Sequence, residues 1–381
     1  MGIYLNKGND AFKKALSRRI YVDKSMLISK TNHAIEHDDP FWCVTRLRRS
    51  GKTMALEMLN AYYSKGCDSR ELFHGLKIEN DPSFEKHLNK HNVISIDMNG
   101  AFSKYPNSPL FISELEKAVV EELRSAFPTI TFKDGIADAI AKIKTGTGKT
   151  FVFLTDERDV VFRESEVDIA LQNKYLFFLR TLFKSSLVAE AIDLVYMTGI
   201  LPIPKGVSQS ALNNFTEYNM LNPDGLEEYF GFTQEEVDSL CDKFDIDKEE
   251  MRHWYNGYHY GNLSIYNPWS VVNAITDKRY DDYWNNTCSI EALTTYMNYG
   301  NGLLKKDMMS LLEGKEVKFD LSLFDNDLTK VDSKDAALTV LVHLGYLAYD
   351  MESSTCRIPN HEIKKAFANA IEDLNWDLES K

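Results

Sequence analysis

The residues best placed to do chemistry lie between Phe41 and Lys65, FWCVTRLRRSGKTMALEMLNAYYSK. A short apolar run, Phe41 to Thr45, reads as a buried strand, and a basic loop follows at Arg46 to Ser50. Gly51-Lys52-Thr53 then opens a segment with apolar residues at helical spacing (Met54, Leu56, Met58, Leu59, Tyr62, Tyr63). Strand, loop, GKT and helix in that order is the context a phosphate-binding loop requires. Backbone N–H groups of Arg48, Arg49, Ser50, Gly51 and the helix start, through Met54, would cradle phosphates. Lys52 would reach the β- and γ-phosphates, and the Thr53 hydroxyl would hold Mg²⁺. Arg46 stands where the usual G-x-x-x-x-G-K-[ST] pattern has its first glycine.

A second stretch supplies the acids such a loop needs. Phe151 to Asp159, FVFLTDERD, runs four apolar residues into Thr155-Asp156-Glu157, the form of a Walker B strand. Asp156 would position Mg²⁺ through water and Glu157 would polarise the attacking water. Ile192 to Met197 reads as the strand beside it, and Thr198 at its end is the candidate γ-phosphate sensor. Lys144 to Thr150, KTGTGKT, repeats the GKT letters but precedes a strand, so Gly146 to Thr150 is expected to be a turn.

These groups need a scaffold to hold them. At 381 residues the chain exceeds one compact core. Strands alternating with helices predict an α/β fold, a parallel sheet covered on both faces. Three regions are expected: an N-terminal helical segment at 1–40, a P-loop core at 41–205, and a lid followed by a winged-helix-like end at 206–381. In the first, Asp23 is the expected cap of a helix broken at Asp38-Asp39-Pro40. Ser108 to Phe127 and Leu171 to Ser186 read as core helices. Ser208 to Met220 is polar and is expected to return toward the nucleotide, and Leu338 to Asp350 leads into the winged-helix unit.

Other patterns carry less chemistry. His33-Ala-Ile-Glu36-His37 matches an H-x-x-E-H zinc pattern, and His87 and His91 share the same spacing, but neither pair has a third ligand. Both read as helix faces. The aromatic turn Trp254 to Tyr260 could stack bases, although packing between helices is the plainer reading. A net charge of −13 disfavours a nucleic-acid-coating surface. Five dispersed cysteines, with no C-x-x-C, fit reduced cytoplasmic thiols. No leader or membrane span is expected.

With these motifs placed, the chain resembles the bacterial AAA-ATPase-like proteins, which commonly carry a PD-(D/E)XK-type nuclease domain after the ATPase. The resemblance rests on Tyr21-Val22-Asp23-Lys24, the RxRRxGKT segment at Arg46 to Thr53, and Tyr62 to Gly66. It continues through Asp156-Glu157 with Asp159, Tyr196 to Pro202, Ser210 to Phe215, Trp254 to Tyr258 and Tyr266 to Ser270. The family's own phosphate loop lacks the first glycine, as this one does. Leu47 replaces a usual proline, and Ser50 and Arg158 replace aromatics; a cation at 158 could pair with Asp156 or Glu157. The chain stops at Lys381, soon after Ile358-Pro359-Asn360, so no nuclease activity is expected.

The resemblance implies an additional-strand (ASCE, AAA-like) P-loop NTPase using ATP and Mg²⁺, a slow ATPase acting as a switch or regulator. The alternative is a non-hydrolysing P-loop module that recruits a partner. A protein partner is expected under either reading. Nucleic acid is the weaker candidate.

Overall fold

The computed structural model describes residues 1–133, 135–163, 169–203, 212–284, 290–297, 304–321, 331 and 333–373. It divides into two compact units. The first joins Met1–Thr45 to Lys52–Tyr218, and the second joins Arg46–Gly51 to Asn219–Lys381.

The first unit is built on five strands: β1 Phe41–Thr45, β2 Asn92–Asp97, β3 Phe151–Asp156, β4 Ile192–Gly199 and β5 Thr216–Tyr218. They pair in the order β2-β3-β4-β1-β5, and every pairing is parallel. β1, β3 and β4 are almost wholly buried, as expected for a parallel sheet with helices on both faces. The helices are α1 Asp10–Leu16, α2 Leu27–Glu36, α3 Lys52–Tyr63, α4 Phe84–His87, α5 Met98–Lys104, α6 Leu110–Ala126, α7 Ile136–Thr147, α8 Val160–Arg163, α9 Ile169–Phe183 and α10 Ser186–Ala189. Val119, Leu123, Ile140, Phe153 and Leu179 belong to one continuous apolar core.

The placing of β4 matters most. It lies between β1, which leads into the phosphate loop, and β3, which ends at the acids. Strand β1 therefore does not touch β3. The register sets Val44 beside Thr198 and Thr155 beside Met197, so Thr198 emerges at the carboxyl edge where α/β folds bind ligands.

Several local expectations change. Asp23 does not cap α2: its carboxylate accepts the N–H groups of Ser25 and Lys77, at 2.8 Å each, and so pins a loop. Helix α7 runs through Gly146 to Thr147, and the turn is confined to Gly148, a left-handed cap at φ +72°. Thr145 and Thr147 donate back to the carbonyls of Ala141 and Ile143. Asp97 ends β2 and caps α5 at once, accepting the Gly100 N–H at 3.0 Å. Residues 208–211 of the polar return segment lie outside the described residues.

The second unit carries two small antiparallel sheets. One orders β6 Phe232–Thr233, β8 Leu263–Tyr266 and β7 Tyr258–Tyr260; the other orders β10 Ala348–Asp350, β11 Thr355–Arg357 and β9 Val317–Lys318. Its helices are α11 Gln234–Phe244, α12 Lys248–Tyr255, α13 Pro268–Asp277, α14 Ile290–Met297, α15 Lys305–Leu312, α16 Lys334–Leu344 and α17 His361–Asp373. Among the described residues its C-terminal run is α15, β9, α16, the β10–β11 hairpin and α17. Helices α11, α12 and α13 start on ordered caps at Thr233, Asp247 and Asn267.

Candidate active site

Lys52 and Thr53 open α3, and Asp156 closes β3. The Thr53 hydroxyl donates to Asp156 Oδ2 at 2.7 Å. The other carboxylate oxygen accepts the Thr198 hydroxyl at 2.5 Å and the Glu157 N–H at 3.0 Å. Three elements far apart in sequence thus converge on one carboxylate. Lys52 is buried, and burial lowers its pKa to about 8 against the pull of Asp156, Asp159 and Glu157.

Glu157 has φ +50°, a left-handed conformation uncommon for a residue with a side chain. Its Oε2 accepts from Arg163 Nη2 at 2.8 Å, and the same guanidinium lies 3.2 Å from Asp159 Oδ2 through Nε. Asp159 is fully buried. Its Oδ2 accepts the N–H groups of Ile200 and Leu201 at 2.9 and 2.8 Å, fastening the chain just past β4. Burial pushes the Asp159 pKa up, but Arg163, Arg158 and those two N–H groups outweigh it and hold the carboxyl below its ordinary range. Gly199 is required for this approach, since a Cβ there would sit 2.8 Å from Asp159 Oδ1.

Arg158 does not act on Asp156 or Glu157, as its position beside them suggested. Its side chain turns into the core, with Nε 3.4 Å from Cys43 Sγ and Nη2 donating to the Leu201 carbonyl. Its carbonyl accepts the Tyr175 hydroxyl at 2.7 Å. The cation on Glu157 is Arg163, which the motif reading missed. Its only sequence signal is the i, i+4 spacing from Asp159 into α8.

The structure gathers Lys52, Thr53, Asp156, Glu157 and Thr198 within the first unit. Met54 is half-buried in the first turn of α3. Gly51 has φ +98° with open space where a Cβ would be, which suits close approach of a ligand to the backbone. Arg48, Arg49 and Ser50 group instead with the second unit. The Arg48 carbonyl accepts from Asn267 Nδ2 at 3.0 Å, the Ser50 carbonyl accepts the Gly231 N–H at 2.9 Å, and Arg49 lies 4.5 Å over the Trp269 ring. Ser50 itself is buried, and Arg46 stacks on Phe230 at 5.3 Å. A buried arginine in place of the first glycine is thus anchored by an aromatic ring.

Hard oxygen donors, one hydroxyl and one carboxylate, are what Mg²⁺ takes from a protein when phosphates supply the rest. Thr53 and Asp156 fit that description. Among the described residues no cluster of three or more His, Cys, Asp or Glu could hold a metal ion. In the H-x-x-E-H stretch, His33 and His37 stack at 3.8 Å and His37 Nδ1 lies 2.9 Å from the His33 carbonyl. The aromatic turn is packing: Tyr255 and Tyr258 are buried, and the Tyr258 hydroxyl donates to the Gly345 carbonyl.

A sheet with β4 inserted between the phosphate-loop strand and the acid-ended strand defines an additional-strand P-loop protein of the AAA type. A family model described as Predicted AAA-ATPase matches residues 8–207, more than half of the chain, and the chain belongs to that family. It is a nucleotide-binding, P-loop ATPase-like protein. An uncharacterized protein in the vnfD 5′ region of Azotobacter chroococcum mcd 1 is 22% identical over 271 residues, 70% of this chain and 51% of the relative. The chain therefore spans about half the length of that curated relative.

Among solved structures, the Aeropyrum pernix ORC2 protein (ADPNP–ADP complexes) overlaps with a TM-score of 0.37 at 10% identity, covering 95% of this chain and 98% of that one. Cdc6p from Pyrobaculum aerophilum gives 0.33 at 9% identity with the same coverage. AMPPCP-bound DnaA from Aquifex aeolicus gives 0.31 at 11%, covering 97% and 93%. These overlaps are low, so the fold rests on the sheet order and the family. No helix among the described residues is long and apolar enough to cross a membrane.

Proposed function

We propose that this chain binds ATP with Mg²⁺ at Lys52, Thr53 and Asp156 and hydrolyses it slowly, as a nucleotide-driven switch. The observation that carries the reading is the Thr53–Asp156–Thr198 bridge, which joins α3, β3 and β4 at the carboxyl edge of the sheet. Lys52 and the N–H groups at the start of α3 would bind the phosphates. Thr53 and Asp156 would hold the metal, and Thr198 keeps the Asp156 carboxylate oriented. Bound Mg²⁺ would neutralise charge on the terminal phosphates. Glu157 would accept the proton of the attacking water, at a carboxylate whose direction is set by its left-handed backbone and by Arg163. Nearly all of the rate would come from positioning and charge neutralisation. The rate is expected to be low because Glu157 is engaged by Arg163.

That same ion pair favours the second reading, a module that binds nucleotide but does not turn it over and recruits a protein partner. A nucleic-acid role through the winged-helix-like end is less well supported. Residues 336 to 343 of α16 are all buried, so this helix offers no free face for a groove.

The deciding experiment is ATP binding and single-turnover hydrolysis with Mg²⁺ by wild type, Lys52→Ala and Glu157→Gln. An ATPase loses binding in the first variant and loses hydrolysis with binding kept in the second. A non-hydrolysing module shows binding that Lys52→Ala abolishes, and no turnover in wild type. Equal, negligible binding by all three would end both nucleotide readings.

A further inference from the structure

On the first unit, α6 and α9 both pack against α7, and a groove of about 480 Å³ lies between them. It is lined mostly by apolar surface, with Ile112 and Glu116 on α6, Ala137 on α7, and Lys174, Phe177 and Phe178 on α9. Phe178 is buried, but its neighbour Phe177 is 69% exposed. A large ring left in water beside an apolar groove forgoes the gain that burying both would bring, and such patches mark contact surfaces.

Two charges on opposite walls are also incompletely satisfied. Glu116 is only half-exposed, yet its carboxylate accepts just the Ile136 N–H, at 3.3 Å. Burial pushes its pKa up, and that N–H alone opposes the rise. Lys174 is exposed on the facing wall. Among the described residues neither group makes an ion pair. The groove therefore lacks a ring to fill it, a cation for one wall and an anion for the other. This same surface carries a projecting ring, a cation and an anion.

We propose that the α6–α9 groove is a self-association surface: a second copy of this chain, related by a two-fold axis along the groove, seats its Phe177 there and sets its Lys174 against Glu116. The symmetry makes the contact reciprocal, so each copy gives one ring and receives one, and both charge pairs close. α6 and α9 have 17 and 15 residues, about 25 and 22 Å of helix. Two such helices from each copy make a small interface, and the dimer is expected to be reversible. The proposal does not depend on nucleotide.

Sedimentation equilibrium of the full chain across the micromolar range tests it. Wild type is expected to pass from monomer to dimer as concentration rises. Phe177→Ser removes a ring from each side and should weaken the dimer by at least about a hundredfold. Glu116→Lys and Lys174→Glu each set like charges together at both ends, and each should weaken it about tenfold. Mixed in equal amounts, those two reversed proteins regain both pairs, because one carries only cations at the two wall positions and the other only carboxylates. The mixture should associate within about threefold of wild type. A monomer at every concentration overturns the proposal and leaves the groove to a different occupant. A dimer indifferent to Phe177→Ser, or a mixture that associates no better than its separate components, also overturns it. Thermal melts establish that each variant folds; should Phe177→Ser fail to fold, the charge-reversed mixture decides alone.

Discussion

Two histidines that were candidates for zinc lead to a prediction about protons. His87 Nδ1 and His91 Nε2 are 3.0 Å apart. The outer nitrogens face carboxylates, His87 Nε2 to Glu36 at 2.9 Å and His91 Nδ1 to Asp193 at 3.0 Å. Three hydrogen bonds need three hydrogens, and two neutral imidazoles bring two. Glu36 has none to offer: hydrogen bonds from Lys86 and His87 lower its pKa to about 2. With both rings neutral, the three contacts have one hydrogen too few. Adding it to His87 is resisted, since burial lowers the His87 pKa, with His91 adding to it against Glu36. Lys86 on Glu36, the Thr150 hydroxyl on Asp193 and the edge of the Tyr63 ring on His91 complete the surroundings.

Unfolded, His87 titrates near 6.5. Above that pH the ring is neutral in both states and its contribution is fully present. Below it the unfolded chain binds a proton that the buried ring resists, so the contribution falls as pH drops. The stabilisation is lost on the acid side of about pH 6.5. His87→Phe keeps a stacked ring and removes two of the three bonds. Because Glu36 and Asp193 are 28% and 23% exposed and can regain water, the cost at pH 6.5 is set at the low end for charged hydrogen bonds, about 2 kcal/mol. For a unit of this size that is roughly 4–8 °C in Tm. Calorimetric melts of both proteins from pH 5 to 9 should show the gap steady on the alkaline side and closing as pH falls below about 6.5. A gap that is constant down to pH 5, or that widens in acid, refutes the buried neutral ring.

Other substitutions test the site and its supports. Thr198→Val keeps the shape but leaves Asp156 Oδ1 with only the Glu157 N–H, and should cost about 1 kcal/mol of stability by urea unfolding; single-turnover hydrolysis should also slow. Thr53→Val should leave the melting temperature within a few degrees while abolishing the Mg²⁺ dependence of nucleotide affinity. Asp159→Leu leaves Arg158 and Arg163 buried without their shared carboxylate. It should destabilise the first unit by about 3–5 kcal/mol, seen as loss of the cooperative transition or of soluble protein. Gly257→Ala places a Cβ 1.9 Å from the Pro359 carbonyl oxygen at φ +154°. It should unfold the second unit's α12–β7 junction, read as faster hydrogen exchange there than in the first unit.

The chain's own letters determine the pieces. A GKT that follows an apolar strand and opens a helix, and a second apolar strand that ends in Asp156-Glu157, are local patterns, and local patterns survive in one dimension. The β1 and β3 assignments follow from short apolar runs bounded by polar segments, and α3 from apolar residues at helical spacing. What no local pattern carries is the neighbour of each strand. That β4 enters between β1 and β3, setting Thr198 against Asp156, is decided by pairing across more than forty residues. The orientation of Arg158 is decided likewise. Beside two acids in sequence it reads as their partner, yet the turn after β3 sends it to Cys43 and Leu201 and leaves Glu157 to an arginine one helical turn further on. The surroundings of His87 and His91 were equally hidden, because their spacing is visible but Glu36 and Asp193 reach them from other elements. Charge partners are chosen by distance in space, and sequence separation says nothing about that distance once the chain has folded back on itself.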